Sequence, residues 1–213
     1  MAVIIINPNS TAAMTTAMLE QAQRAAPEIQ FEGWTSENGP PSIQGEEDGK
    51  AATKPLLELI DHASTAQADG IIIGCFDDTA LTDAARRAAC PVIGLGQASY
   101  HYAALRNWRF SVVTTLAVSV PILEDNITRQ GLGSFVSKVR ASDVPVLALD
   151  ADPKAASQSI VAEAQRAEAE DAISAVVLGC AGMVHVAEEV ARSVTVATID
   201  PVVCAARCMA WIM

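Results

Sequence analysis

An α/β fold is predicted by this sequence, built as two pseudo-symmetric halves, each a parallel sheet sandwiched between helices, with a cleft between them. Two observations carry the prediction. Short β-branched runs such as Val3-Ile4-Ile5-Ile6 and Gly70-Ile71-Ile72-Ile73 alternate with Ala-rich stretches of helical spacing, the pattern of a parallel sheet covered by helices. The second half also replays the first. The run Val3-Ile6 followed by Asn7-Pro8-Asn9-Ser10-Thr11 resembles Phe110-Thr114 followed by Thr115-Leu116-Ala117-Val118-Ser119, and Ile71-Ile72-Ile73-Gly74-Cys75 resembles Val176-Val177-Leu178-Gly179-Cys180. Pro91-Val92-Ile93-Gly94 likewise matches the stretch 194–200.

The elements follow in order. Val3-Ile6 reads as a strand, and Asn9 or Ser10 as the cap of a helix running through Met14, Met18 and Ala22 to about Ala26, ahead of Pro27. Phe31-Thr35 reads as a strand, and 37–46, dense in Gly, Pro, Asn and Glu, as a long loop of the kind that often carries function. Leu56, Leu57, Leu59, Ile60 and Ala63 give 54–66 a helical face leading into a buried strand at 70–73. A turn at Gly74-Cys75-Phe76-Asp77-Asp78 precedes a helix over 79–89, with Asp77 or Asp78 as its cap. A strand over 91–95 and a helix from Ser99 follow, and the final residues read as a helix. Residues 1–98 with a C-terminal helix at about 201–213 are expected to form the first half, and 99–200 the second. Each sheet then offers the carboxyl ends of its strands to one cleft, where open α/β sheets place ligands.

Composition narrows the function. Lys and Arg number 14 against 25 Asp and Glu, a net charge of −11, so the cationic surface that nucleic acid or an anionic membrane would need is missing. An apolar content of 51% with 18% charged residues is too hydrophobic for a disordered chain, while no apolar run is long enough to span a bilayer. The N-terminus has no basic segment ahead of its first strand, and a cytoplasmic protein is expected. Five cysteines, an odd number in that setting, mean thiols rather than a disulfide scaffold. The sequons at Asn9 and Asn126 are then chance matches.

Two of those thiols stand out. Cys75 and Cys180 each follow a strand and a glycine, at a strand-to-helix turn, where backbone N–H groups and a helix dipole favour thiolate. Free cysteine is also a common packing residue, but repetition at equivalent turns points to a pair of opposed acid/base groups: one removes a proton from a carbon and the other delivers one to the opposite face. Asp77 and Asp78 either cap a helix or hold Cys75 protonated. Cys204 and Cys208 lack partners for a metal site and read as packing, as does Cys90. His62, His101 and His185 are isolated, and Gly94-Leu95-Gly96 falls short of a dinucleotide fingerprint.

With these motifs the sequence resembles the hydantoin racemase branch, including allantoin racemases, of the Asp/Glu/hydantoin racemase superfamily. The resemblance rests on Asn7-Pro8-Asn9-Ser10-Thr11, Pro40-Pro41-Ser42-Ile43, Gly74-Cys75-Phe76-Asp77-Asp78, the stretch 110–122, and Leu178-Gly179-Cys180-Ala181-Gly182-Met183, and it covers nearly the whole chain. It implies that Cys75 and Cys180 are the catalytic pair, that no metal, PLP or nucleotide cofactor is used, and that the protein is a homo-oligomer. It further implies that some of Asn9, Ser10, Thr114 and Thr115 touch the substrate, and it draws Ser42, Ile43, Phe76, Asp77, Ala181 and Gly182 into the binding site.

The departures from the amino-acid racemases of the superfamily matter as well. Their turns resemble Cys-Asn-Thr and Cys-Thr-His, whereas here Cys75 is followed by Phe76-Asp77 and Cys180 by Ala181-Gly182. Such a site suits a cyclic ureide better than a zwitterion, with Phe76, Ile43 and Trp34 hinting at an apolar pocket. The expected function is racemisation of 5-substituted hydantoins at C5. Allantoin, another superfamily isomerase or decarboxylase reaction, or a non-catalytic small-molecule binding protein are the alternatives.

Overall fold

The computed structural model describes residues 2–213, apart from the side chain of Asp150. Its elements run β1 (Val3–Asn7), α1 (Ala12–Ala25), β2 (Phe31–Thr35), α2 (Glu46–Thr65), β3 (Gly70–Ile73), α3 (Leu81–Arg87), β4 (Val92–Gly94) and α4 (Leu95–Leu105). The second half repeats the plan with β5 (Phe110–Thr114), α5 (Val120–Arg129), β6 (Val136–Ala141), α6 (Ala148–Ala151), α7 (Pro153–Glu170), β7 (Ala175–Gly179), α8 (Ala187–Ser193) and β8 (Ala197–Ile199), before α9 (Pro201–Ile212). The strands form two parallel four-stranded sheets, β2-β1-β3-β4 and β6-β5-β7-β8. The order is the same in both, so the repeat seen in the sequence is a repeat of topology.

The central strands β1, β3, β5 and β7 are buried along their whole length, which is why they read as unbroken apolar runs rather than alternating ones. Register carries the site. Ile6 pairs with Ile73 and Thr114 with Gly179, so the turns after β3 and β7 leave their sheets at equivalent points. A core shared by the two halves joins Ile5, Met18 and Ile72 to Tyr100, Phe110, Val177 and Met209. Tyr100 is its hub, stacked on Phe110 at 5.9 Å between ring centroids and edge-on to Phe76 at 5.5 Å. Separate cores lie on the outer faces, around Ile60 in the first half and Ile160 in the second. Helix α9 packs against α1 and α4, and Asp200 caps it by accepting from the Val202 and Val203 amides at 2.8 and 3.1 Å.

Several expected boundaries shift, each for a local reason. Helix α2 begins at Glu46 and runs through Pro55; its first turn carries Glu46, Glu47 and Asp48, which the helix dipole favours. The expected loop therefore ends where the helix starts. Thr11, rather than Asn9 or Ser10, is the boundary residue of α1, although Asn9 Oδ1 accepts from the Thr11 amide at 2.9 Å. Helix α3 starts at Leu81 instead of Thr79 because Asp78 and Ala80 are left-handed, at φ 50° and 52°. Helix α4 follows β4 with no loop between them.

Neither Asp77 nor Asp78 caps α3. The Asp78 carboxylate reaches across instead to cap α4, accepting from the Gly96 and Gln97 amides at 3.0 and 2.8 Å. Glycine at 94 makes room for it, since a Cβ there would lie 1.9 Å from Asp78 Oδ1. Among the described residues no helix is long and apolar enough to cross a membrane.

Candidate active site

Where the carboxyl ends of β1, β3, β5 and β7 meet, the two halves enclose a cavity of about 30 Å³. Cys75 and Cys180 both line it, one from each Gly-Cys turn, together with Asn9, Ile43, Phe76, Asp77, Thr114, Thr115, Ala181 and Gly182. These are the expected residues, brought together from five segments of the chain. Ser10 and Ser42 are the exceptions: Ser42 is buried beside Ile43 in the chain, the Ser10 amide donates to the Pro40 carbonyl at 2.9 Å, and neither lines the cavity. Trp34 is also elsewhere, bordering a separate surface pocket with Pro55 and His62.

Met14, Ser119 and Val146 line the cavity too and escaped the sequence reading. Met14 fits the apolar face of α1 and Ser119 lies inside a motif already noted, but Val146 sits in a loop with no signature. It is held there across the cleft, its amide donating to Gln44 Oε1 at 2.9 Å. This bond ties the loop carrying Ile43 to the loop carrying Val146.

Much of the polar lining is already committed. The Thr114 hydroxyl donates to the Gly179 carbonyl at 3.0 Å, which binds the β5 end to the β7 end. Asn7, fully buried, donates to Asn9 Oδ1 at 3.0 Å; with the Thr11 amide on the same oxygen, the Asn9 amide is oriented so that Nδ2 lies 3.6 Å from the Met14 sulfur. A weak acceptor in that position leaves Nδ2 a ready donor to a ligand.

The first thiol turn is shaped by hydrogen bonds. The Thr79 hydroxyl donates to Cys75 Sγ at 3.5 Å, and the Asp77 backbone N–H also approaches the sulfur. Both favour thiolate, yet burial, aided by the Asp77 charge, pushes the Cys75 thiol far above its ordinary range. For Cys75 the expectation of a thiol acidified by a helix dipole is thereby corrected. No helix begins at Cys75, since α3 starts six residues later, and Cys180 leads into a 3-10 turn at Ala181–His185. At Cys75, burial without an adjacent helix end disfavours charge.

Asp77 itself is a half-buried residue. Its backbone carbonyl accepts from Asn126 Nδ2 at 2.8 Å, which pins the turn to α5. Its Oδ2 is enclosed and has no hydrogen-bond partner, and burial pushes the group up to about 7.

The remaining cysteines are not at the site. Cys204 donates to the Ala98 carbonyl at 3.3 Å and is pushed up to about 12, chiefly by burial; it packs α9 onto α4, as expected. Among the described residues no three His, Cys, Asp or Glu side chains converge as a metal site requires.

Against known proteins, residues 3–209 match the family model described as Asp/Glu/Hydantoin racemase. This chain belongs to that family. A hydantoin racemase of Rhizobium meliloti is 40% identical over 206 residues, covering 95% of this chain and 85% of the relative. One of Pseudomonas sp. (strain NS671) is 33% identical over 204 residues, covering 95% and 82%. Among solved structures, allantoin racemase from Klebsiella pneumoniae superposes with a TM-score of 0.93 at 33% identity, over 99% of this chain and 86% of that one. The chain is therefore an enzyme of the racemase type, and its two-sheet architecture is the family fold.

Proposed function

We propose that this racemase inverts C5 of 5-substituted hydantoins by a two-base mechanism in which Cys75 and Cys180 work from opposite faces of the ring. The observation that carries the reading is the single cavity lined by both thiols, each delivered by the same Gly-Cys turn of a repeated half. A proton on C5 is acidified by the neighbouring C4 carbonyl. One sulfur as thiolate takes it, the negative charge moves onto the C4 oxygen as an enolate, and the other sulfur as thiol returns a proton to the far face. For the opposite enantiomer the two thiols exchange roles.

The surroundings suit this chemistry. A dry, enclosed site strengthens every donor aimed at the developing oxyanion. Asn9 Nδ2 and backbone amides of the turns after Cys75 and Cys180 are the donors at hand. Burial keeps Cys75 protonated in the resting enzyme, which suits it as the acid for the enantiomer whose C5 proton faces Cys180. Met14, Ile43, Phe76 and Val146 present apolar surface to the C5 substituent and favour alkyl or aryl groups. Allantoin, whose C5 substituent is a polar ureido group, is the second reading; the likeness to an allantoin racemase and the hydroxyls of Thr115 and Ser119 in the lining favour it. A cavity of about 30 Å³ holds about one water, so the ring enters only when the loops over the site part.

The test follows optical rotation and C5 deuteration of each pure enantiomer in D₂O, for alkyl, aryl and ureido hydantoins, with wild type, Cys75→Ser and Cys180→Ser. Both variants are expected to lose racemisation while each still exchanges the C5 proton of one enantiomer. Full racemisation by either variant would refute the opposed-thiol mechanism. Unchanged rotation and protium in all three substrate classes with wild type would refute the substrate class.

A further inference from the structure

Asp77 is a carboxyl that the two-thiol mechanism does not use. It sits two residues from Cys75 in the wall of the cavity, and its turn is immobilised by the Asn126 contact to its backbone. Several neighbouring side chains are satisfied: Asp78 caps α4, Thr79 holds the Cys75 sulfur, and Thr114 is bonded to the sheet, while the Tyr100 hydroxyl and Gln130 Oε1, also buried without partners, do not line the cavity. Asp77 Oδ2 is enclosed and unpartnered. A buried oxygen without a partner costs about 1–3 kcal/mol, a cost that makes sense where a ligand completes the bond.

We propose that Asp77 contacts the substrate, its carboxyl pairing edge to edge with the N3–H and C4=O groups of the hydantoin ring. This rests on the hydantoin reading above and extends it to the edge of the ring that is recognised. The ring amide is held cis by its five-membered ring, so its N–H and C=O point the same way. A protonated carboxyl matches it, the hydroxyl donating to the C4 oxygen and the carbonyl oxygen accepting from N3–H. An ionised carboxylate would instead repel the enolate that forms at C4. The enclosure that leaves Oδ2 dry also raises the group to about 7, which keeps the neutral form populated near neutrality. The bond to C4 strengthens as charge develops there, so it contributes more in the transition state than in the ground state. Cyclic ureides and other rings with a free N3–H beside the reacting carbonyl are therefore the substrate class, and N3-substituted rings are excluded.

The experiment compares racemisation of 5-benzylhydantoin and its N3-methyl derivative by wild type, Asp77→Asn and Asp77→Ala. Asparagine offers the same donor and acceptor in its carboxamide and is expected to keep kcat/KM within about tenfold. Alanine is expected to lose roughly 10²–10³-fold on the parent substrate, the range for removing one oxyanion donor. Wild type is expected to reject the N3-methyl ring by at least about 100-fold, and Asp77→Ala to treat the two rings alike. Equal turnover of both rings by wild type, a measurement independent of any variant's folding, would overturn the proposal while leaving the two-thiol reading intact. Retained discrimination in Asp77→Ala would do the same. No turnover of the parent ring by wild type would remove the hydantoin reading and this inference with it.

Discussion

Replacing Arg140 by methionine tests how the second sheet holds its helix layer. Arg140, on β6, is 6% exposed and bonds through Nε to Asp171 Oδ2 at 2.6 Å, through Nη1 to Glu163 at 3.0 Å and through Nη2 to Glu170 and Asp171 at 2.7 and 2.5 Å. Glu170 is 55% exposed, and its loss contributes little. Asp171 and Glu163, 6% and 10% exposed, would be left as buried anions. Breaking such a pair from one side costs about 3–5 kcal/mol. Asp171 keeps the Ser111 hydroxyl at 2.7 Å and Glu163 keeps Arg166 at 2.5 Å, which places the loss near the lower end, about 3 kcal/mol. For a chain of this length that lowers Tm by roughly 6–12 °C.

The deficit carries a pH signature. In the wild type burial opposes the Asp171 charge, but the hydrogen bonds from Arg140 and Ser111 override it and hold the carboxyl below its ordinary range. This stabilises the fold above the unfolded carboxyl pKa of about 4 and is lost as pH falls through the lower folded value. Without Arg140 burial prevails and the carboxyl rises, so the variant is penalised above about pH 4 and relieved below it. Thermal unfolding by circular dichroism between pH 4 and 8 is the assay. The gap between the two proteins is expected to be widest near neutrality and to narrow as pH falls. A Tm change under about 2 °C, or a gap independent of pH, would refute the reasoning.

Two further expectations concern the site. Gly94→Ala places a Cβ 1.9 Å from Asp78 Oδ1, expelling the carboxylate from the α4 N-terminus at a cost of about 1–2 kcal/mol. Tm is expected to fall by roughly 2–8 °C, and Asp78→Ala to add little to it in the double variant; full additivity would mean that the cap is not what Gly94 protects. Gln44→Ala removes the bond to the Val146 amide that links the two loops over the cavity. About 1 kcal/mol is roughly a fivefold loss of the closed form, and steady-state kinetics are expected to return a kcat/KM lower by that factor. An unchanged value would show that the bond does not bear on closure.

The sequence by itself determined the fold class, the duplication and the thiol pair. Unbroken Ile and Val runs are what strands buried on both faces require, and a Gly-Cys pair after each of two matching runs fixes equivalent turns whatever their exact geometry. Ten of the site residues it named line one cavity, because most of them lie within a few residues of a strand's carboxyl end, a position that strand pairing alone brings together. Contacts between distant segments were decided only by the tertiary structure. Asp78 reads locally as a cap for the helix that follows it, yet it caps α4, because parallel pairing of β3 with β4 brings that helix N-terminus to its carboxylate. Val146 carries no motif, and only the crossing of two loops puts it opposite Ile43. The ionisation of Cys75 was out of reach for the same reason: spacing shows the turn, but desolvation raises the thiol, and burial is a property of the assembled fold.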